Sequence, residues 1–319
     1  MKLLDLHCDT ALKLFEDVSL NLRANDMCVD LDKLDAVNSM AQVFALFVDR
    51  ETYAARSATC LAMLERLQKE VTANADRIAF AYSAADVLAN AATGRKSAIL
   101  AIEDGGSLEG EMENLHVFYE KGVRIITLTW NYPNEIGFPH GTEHGHKGLT
   151  PFGRDLVREM ERLGVIPDVS HLSEGGFWDV AKTCRKPFMA SHSNCRALAD
   201  HTRNLDDAQI RALADTGGVM GICVVRKFLL PGDFRTLGER DEGRIEALVA
   251  HIKHAENVGG IDVLAIGTDF DGTLTNHELR QIDDLNKLEP LLRAAGYGDE
   301  KLEKIYWKNA LRVLDAAQA

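Results

Sequence analysis

Six side chains stand out by type and place. His7 and Asp9 lie two apart at the end of the apolar run 3–6. Residues at that spacing on a strand point to one side, so an imidazole and a carboxylate can converge as zinc ligands. Taken alone, the same pair also reads as an ordinary strand end. Glu103 directly follows the run SAILAI (97–102). A carboxylate there is paired, ligates a metal, or turns into solvent with Asp104-Gly105-Gly106. Its two oxygens make it the candidate bridge between two metals. His171 and His192 each sit in a Ser-His pair closing an apolar run, one strand–helix unit apart. One such histidine reads as a hydrogen-bonded core residue, whereas two in matching places read as ligands. Asp269 lies in GTDFDG (267–272), with Asp271 two residues on. That pattern is also compatible with a turn or a calcium loop, but 273–277 lack the further oxygen ligands a calcium loop needs. Together the six fit two Zn²⁺ held by nitrogen and carboxylate oxygen, a centre that acidifies water to near neutrality.

Such a set needs elements that deliver its members to one place. Strand-like runs fall at 3–6, 41–48, 98–102, 123–129, 165–169, 188–191, 218–225 and 263–267. Short continuous apolar runs suit strands buried on both faces, as in parallel sheets. Helix-like segments alternate with them at 54–74, 83–92, 112–121, 151–163, 173–184, 206–216, 240–258 and 284–295, and a last one at about 299–317 closes the chain. Eight strands in strict alternation with helices predict a closed (β/α)8 TIM-type barrel, with its chemistry at the C-terminal strand ends. Two long loops, 131–148 and 227–239, follow strands at that end. No internal repeat, low-complexity tract or linker appears, so residues 1–319 read as a single catalytic domain.

The formal charge of −13 argues against nucleic acid and requires any anionic substrate to find a local positive group. None of the six cysteines forms a C-x-x-C pair, and they read as mostly buried free thiols. Asp5 and His7 break the N-terminal apolar stretch too early for a signal peptide, and no run approaches the ~20 apolar residues of a membrane span. A cytoplasmic protein with no membrane partner is expected.

At this point the residues resemble the membrane (renal) dipeptidase family of zinc peptidases, including its soluble bacterial members. The resemblance runs over nearly the whole chain through DLHCDT (5–10), IEDGGS (102–107), GLTPFGR (148–154), VSHLS (169–173), SHS (191–193) and GTDFDG (267–272). It implies a binuclear zinc barrel in which His7 and Asp9 bind the first metal, His171 and His192 the second, and Glu103 bridges them. Asp269 would ligate the first metal and handle the proton of the nucleophilic water. The implied activity is hydrolysis of dipeptides, L-Xaa-D-Xaa included, by a metal-bridging hydroxide. By the same resemblance Arg203, eleven residues past His192, would hold the substrate carboxylate. A guanidinium suits that role because it grips a carboxylate in two parallel hydrogen bonds. By analogy with family members that are often dimers, a homodimer is expected.

One departure stands out. Where the family carries a histidine to polarise the scissile carbonyl, this sequence has Trp130, whose indole donates a hydrogen bond but cannot become a cation. Loss of one such donor can cost ~2.7–4 kcal/mol of barrier. Asn131, Asn134 or a loop histidine is a candidate substitute, and Trp130 and Asn131 are expected to contact substrate. The departure also keeps open another binuclear-metal, amidohydrolase-like enzyme acting on acyl-amino acids, lactones or cyclic amides. His140, His144 and His146 form H-x3-H-x-H, which reads as a second metal site or as a solvated loop over the active site. Cys8, between two proposed ligands, is expected to point away from them. His116, His251, His254 and His277 read as structural or exposed.

Overall fold

The apolar runs pair as parallel strands in the computed structural model, which describes residues 1–141, 143–230, 245–274 and 278–319. The strands are β1 (Leu3–Cys8), β2 (Ser39–Phe47), β3 (Ile78–Phe80), β4 (Lys96–Glu103), β5 (Val123–Thr127), β6 (Ile166–Asp168), β7 (Met189–Ala190), β8 (Val219–Ile222) and β9 (Leu264–Ile266). The ring runs β1-β2-β4-β5-β6-β7-β8-β9 and closes through the β9–β1 pair, every pairing parallel. These eight are the runs read from the sequence, and they form the (β/α)8 TIM-type barrel. The ninth strand, β3, was not expected. Among the described residues it pairs only with Lys96–Ala98 at the start of β4, below the point where β5 joins at Leu100. Three residues are too few for a periodic signal.

Helices stand between the strands where amphipathic spacing placed them. Pro151–Leu163 shows the local logic. Thr150 caps it by accepting from Gly153 N, Pro151 stands in the first turn, and Leu156, Val157 and Met160 bury one face. Gly164, at φ 78°, ends it in the left-handed conformation that glycine adopts without steric cost. Two short helices, Thr10–Glu16 and Leu31–Ala36, were not anticipated. The expected loop 227–239 starts inside a short helix, Arg226–Leu229. Residues 231–239 of that loop, and the first five residues of the helix expected at 240–258, lie outside the described residues, and the helix is described from Ile245 to Gly259.

Two shells of packing hold the barrel. One gathers Val43, Ile99, Ala101, Ile125, Ile166, Met189, Val219 and Ala265 with Val313 and Leu314 of the C-terminal helix. The other packs the opposite strand faces, including Phe44, Leu100, Ile126 and Ile222, against the surrounding helices. Strand periodicity carries the first face upward into polar positions: Glu103 follows Ile99 and Ala101, Asp168 follows Ile166, and Ser191 follows Met189. The barrel is tight beside Ser191. A Cβ on Gly221 or Gly267 would fall 1.9 or 1.7 Å from the Ser191 carbonyl oxygen, so only glycine lets these strands approach.

Candidate metal centre

The C-terminal ends of five strands bring the six selected side chains into one buried cluster. Glu103, the last residue of β4, sits at its middle. Its Oε2 lies 3.6 Å from His7 Nε2, and its Oε1 lies 3.2 Å from His171 Nε2 and 3.7 Å from His192 Nε2. His7 Nε2 is also 3.4 Å from Asp9 Oδ2 and 3.9 Å from Asp269 Oδ1. His171 and His192 turn their Nε2 atoms toward each other at 3.0 Å. Three overlapping groups result: His7, Asp9 and Glu103; Glu103, His171 and His192; and His7, His192 and Asp269. Within each group the ligand atoms lie within 4.8 Å of one another.

The cluster is held under strain. His171 and Asp269 have φ values of 67° and 65°, in a region that non-glycine residues enter at a cost of ~1–3 kcal/mol. Neighbouring groups supply the restraint. The Asp5 carboxylate, buried in β1, accepts from Thr268 N at 2.8 Å, Thr268 Oγ1 at 2.7 Å and Gln42 Nε2 at 2.9 Å, which ties the turn carrying Asp269 to the strand carrying His7. Asp271, also at positive φ, turns away from the cluster and accepts from Thr10 Oγ1 and Cys28 N, each at 2.7 Å. The two aspartates of the Asp-x-Asp-Gly segment therefore have separate jobs. Gly272 packs against the cluster itself, where a Cβ would fall 2.0 Å from Asp9 Oδ2.

The electrostatics suit cations. Burial, and then the neighbouring Asp9, push the Glu103 carboxyl up to about 7. Burial likewise drives Asp269 well above the carboxylate range. Burial, then the Arg203 charge and the other imidazoles, keep His171 neutral, and burial, then the charges of His7 and Arg203, do the same for His192. His7 goes the other way: burial opposes its charge, but Glu103 and Asp9 outweigh it and raise its pKa. Among the described residues, His7 Nε2 and Asp9 Oδ1 are buried without a hydrogen-bond partner, a state that costs ~1–3 kcal/mol per neutral group and more for a charged one. Unpartnered donor atoms, neutral imidazoles and carboxylates on one point fit a pair of divalent cations, and the nitrogen and oxygen donor set suits zinc.

Arg203 is 3% exposed, donates from Nη2 to the His192 carbonyl at 3.2 Å, and packs 5.2 Å from the Phe228 ring centre. Among the described residues its Nε has no partner. Trp130 lines the cleft above the cluster and packs against Phe47 at 4.8 Å and Tyr132 at 5.4 Å between ring centres. The cleft holds about 160 Å³, below the ~300–1,000 Å³ of pockets for drug-sized ligands. Asn131 lines it too, but its Oδ1 lies 2.8 Å from His171 Nδ1 and 3.1 Å from His140 Nε2. Asn134 is not free to act on substrate. Its amide donates to Asp104 and to the Leu128 carbonyl, and its oxygen accepts from Ile136 N and Gly137 N.

The H-x3-H-x-H segment does not gather into a second metal site among the described residues. His140 is engaged with Asn131 and Thr202, whereas His144 packs on Phe138. Cys8 is fully buried in the outer shell, consistent with packing. His251 is buried and accepts from Cys195 N, His254 pairs with Asp207, and His116 pairs with Glu159 at the surface. His277 lies outside the described residues. Sequence reading missed Asp5, Asp168, Ser191, Phe47 and Gly272. The available signal was a carboxylate inside an apolar strand, as in Ile166-Pro167-Asp168.

Comparison with known proteins agrees with this geometry. The family model for membrane dipeptidase (peptidase family M19) matches residues 1–319. A protein from the pqqA 5′ region of Klebsiella pneumoniae is 38% identical over 265 residues, covering 80% of this chain and 93% of its own. Among solved structures, dipeptidase AC, a metallopeptidase of family M19, superposes with a TM-score of 0.91 at 27% identity, covering 100% of this chain and 99% of that one. A metallopeptidase from Rhodobacter sphaeroides, solved with a phosphinate mimic of the dipeptide L-Ala-D-Ala, gives a TM-score of 0.89 at 26% identity and 99% coverage of both chains. With the family matched from the first residue to the last, the chain belongs to the membrane dipeptidase family, peptidase family M19, and is a metal-dependent dipeptidase.

Proposed function

We propose that this protein hydrolyses free dipeptides, L-Xaa-D-Xaa among them, at two zinc ions held by His7, Asp9, Glu103, His171, His192 and Asp269, with residues 1–319 acting as one catalytic domain. The observation that carries the reading is the placement of Glu103, whose two oxygens each face a different set of ligand atoms. Zinc bound there would acidify a water to near neutrality and polarise the scissile carbonyl. Asp269, ionised once a cation is bound beside it, would take the proton released by the attacking water and return it to the leaving amine. Arg203 holds the C-terminal carboxylate, its Nε, without a partner among the described residues, supplying a donor in a chain of net charge −13. Phe47 and Trp130 give the cleft an aromatic wall beside the reacting bond.

The small cleft, Arg203 on the C-terminal carboxylate and the free amine bound near the zinc pair would together restrict the substrate to two residues. The purified protein should cleave free dipeptides and leave N-acetylated dipeptides and longer peptides intact. Equal cleavage of N-acetylated and free dipeptides would overturn the reading. Trp130 at the position of the expected histidine favours a second reading, a binuclear-metal hydrolase of acyl-amino acids, lactones or cyclic amides. Turnover of those compounds with none of dipeptides would select it.

A further inference from the structure

We propose that Asp168, acting through the hydroxyl of Ser191, is the positioning residue that fixes which nitrogen of His192 faces the metal centre. The proposal rests on reading His192 as a ligand. Asp168 is completely buried at the end of β6, and its carboxylate takes four hydrogen bonds. Oδ1 accepts from Ser170 N at 3.0 Å and Ser191 N at 2.8 Å, and Oδ2 accepts from Thr127 Oγ1 at 2.6 Å and Ser191 Oγ at 2.5 Å. A carboxylate only accepts, so the single hydroxyl proton of Ser191 points to Asp168. Ser191 Oγ also lies 2.8 Å from His192 Nδ1. With its proton committed, Ser191 can only accept there, and Nδ1 of His192 must carry the hydrogen.

Nε2 of His192 is then left bare where it faces Glu103 Oε1 and His171 Nε2. The other tautomer would present an N–H to the metal centre and could not ligate. Backbone contacts hold the ring in place: His192 N donates to Ser170 Oγ at 3.1 Å, and Arg203 donates to the His192 carbonyl. A carboxylate orienting a metal-binding histidine is a common arrangement. Here a serine stands between the two, so the serine's proton decides the tautomer.

A purely structural reading is available, because Asp168 also joins β5, β6 and β7 through Thr127 and Ser191. The variants Ser191→Ala and Thr127→Val separate the two readings, since each removes one hydroxyl donor to Asp168 Oδ2 but only the first touches His192. The readouts are zinc affinity by chelator competition and the His192 tautomer by nitrogen-15 NMR of the histidine side chains, in metal-free and zinc-loaded protein. Ser191→Ala should weaken one zinc by roughly 10–100-fold and give a mixed His192 tautomer in the metal-free state. Thr127→Val should leave both unchanged, whatever its effect on melting temperature. Asp168→Asn should weaken the same zinc and shift His192 toward the Nε2–H tautomer, because the two backbone N–H groups on Oδ1 keep the amide oxygen there and its NH2 then donates to Ser191, turning that hydroxyl toward His192 Nδ1. Equal losses in Thr127→Val and Ser191→Ala, or an unaltered His192 tautomer in Ser191→Ala, would overturn the proposal. If the wild-type protein bound no zinc, the functional reading would fail, while the metal-free tautomer measurement would still decide the role of Asp168.

Discussion

The substitution Gly272→Ala puts the proposed first-metal site under a defined mechanical load. Gly272 lies outside the left-handed region, so alanine strains no backbone dihedral there. The added Cβ would meet Asp9 Oδ2 at 2.0 Å and Asp269 Oδ1 at 2.8 Å, where real contacts of this kind are not shorter than 3.0 Å. The Asp9 carboxylate must therefore retreat by about 1 Å, several times the ~0.2 Å tolerance of a metal–ligand distance. Both oxygens end flexible side chains, so the barrel itself should pay little, at most the ~1–3 kcal/mol of an overpacked core. A 1 Å misplacement at a reacting centre can cost ~100-fold in rate. Gly272→Ala should therefore melt within several degrees of the wild type, bind one zinc markedly more weakly, and lose roughly 100-fold in kcat/KM. Chelator competition, a melting curve and steady-state kinetics check this together. Two zincs bound at wild-type affinity, with full turnover, would refute the reasoning that Asp9 and Asp269 are ligands.

Other perturbations probe different parts of the centre. Glu103→Gln replaces one ligand oxygen by an amide NH2 that cannot ligate and removes the negative charge between the metals, so both metals should weaken and turnover should be abolished in a zinc titration followed by activity assay. Arg203→Ala should raise KM by roughly 10–100-fold for free dipeptides, the equivalent of ~1.5–3 kcal/mol for a charged hydrogen bond, but not for dipeptide amides; an unchanged KM would exclude its role. Zinc uptake should release protons near pH 7, because Glu103 at about 7 and the raised His7 are partly or wholly protonated in the metal-free protein. Affinity should then fall as pH falls, by roughly tenfold per unit for each proton displaced. Calorimetry in buffers of different ionisation enthalpy would test this, and a flat affinity from pH 6 to 8 would contradict it.

Much of this centre was legible because barrel strands are short, apolar and end abruptly. A lone Glu103 after SAILAI, or a histidine after two matching runs, is conspicuous against such a background. The supporting shell was harder to read. Asp168 and Ser191 look like ordinary polar residues until β5, β6 and β7 bring Thr127, Asp168 and Ser191 together. Asn131 was expected at the substrate, and it does line the cleft, but its oxygen also accepts from His171, a contact made across forty positions of sequence. The loop histidines left two readings open, since H-x3-H-x-H has ligand spacing; among the described residues the loop path sends His140 toward Thr202 and His144 onto Phe138 and gathers no second metal site. β3 escaped because three residues carry no periodicity. Phe47 closes an apolar strand as a core residue would, and only the register of β2, β4 and β5 places it beside Trp130.

Anomalous diffraction from crystals of the zinc-loaded protein, collected on both sides of the zinc absorption edge, tests the central claim most directly. Two peaks are predicted, one on either side of Glu103, the first within bonding distance of His7 and Asp9 and the second of His171 and His192. A single peak, or peaks away from Glu103, would contradict the account.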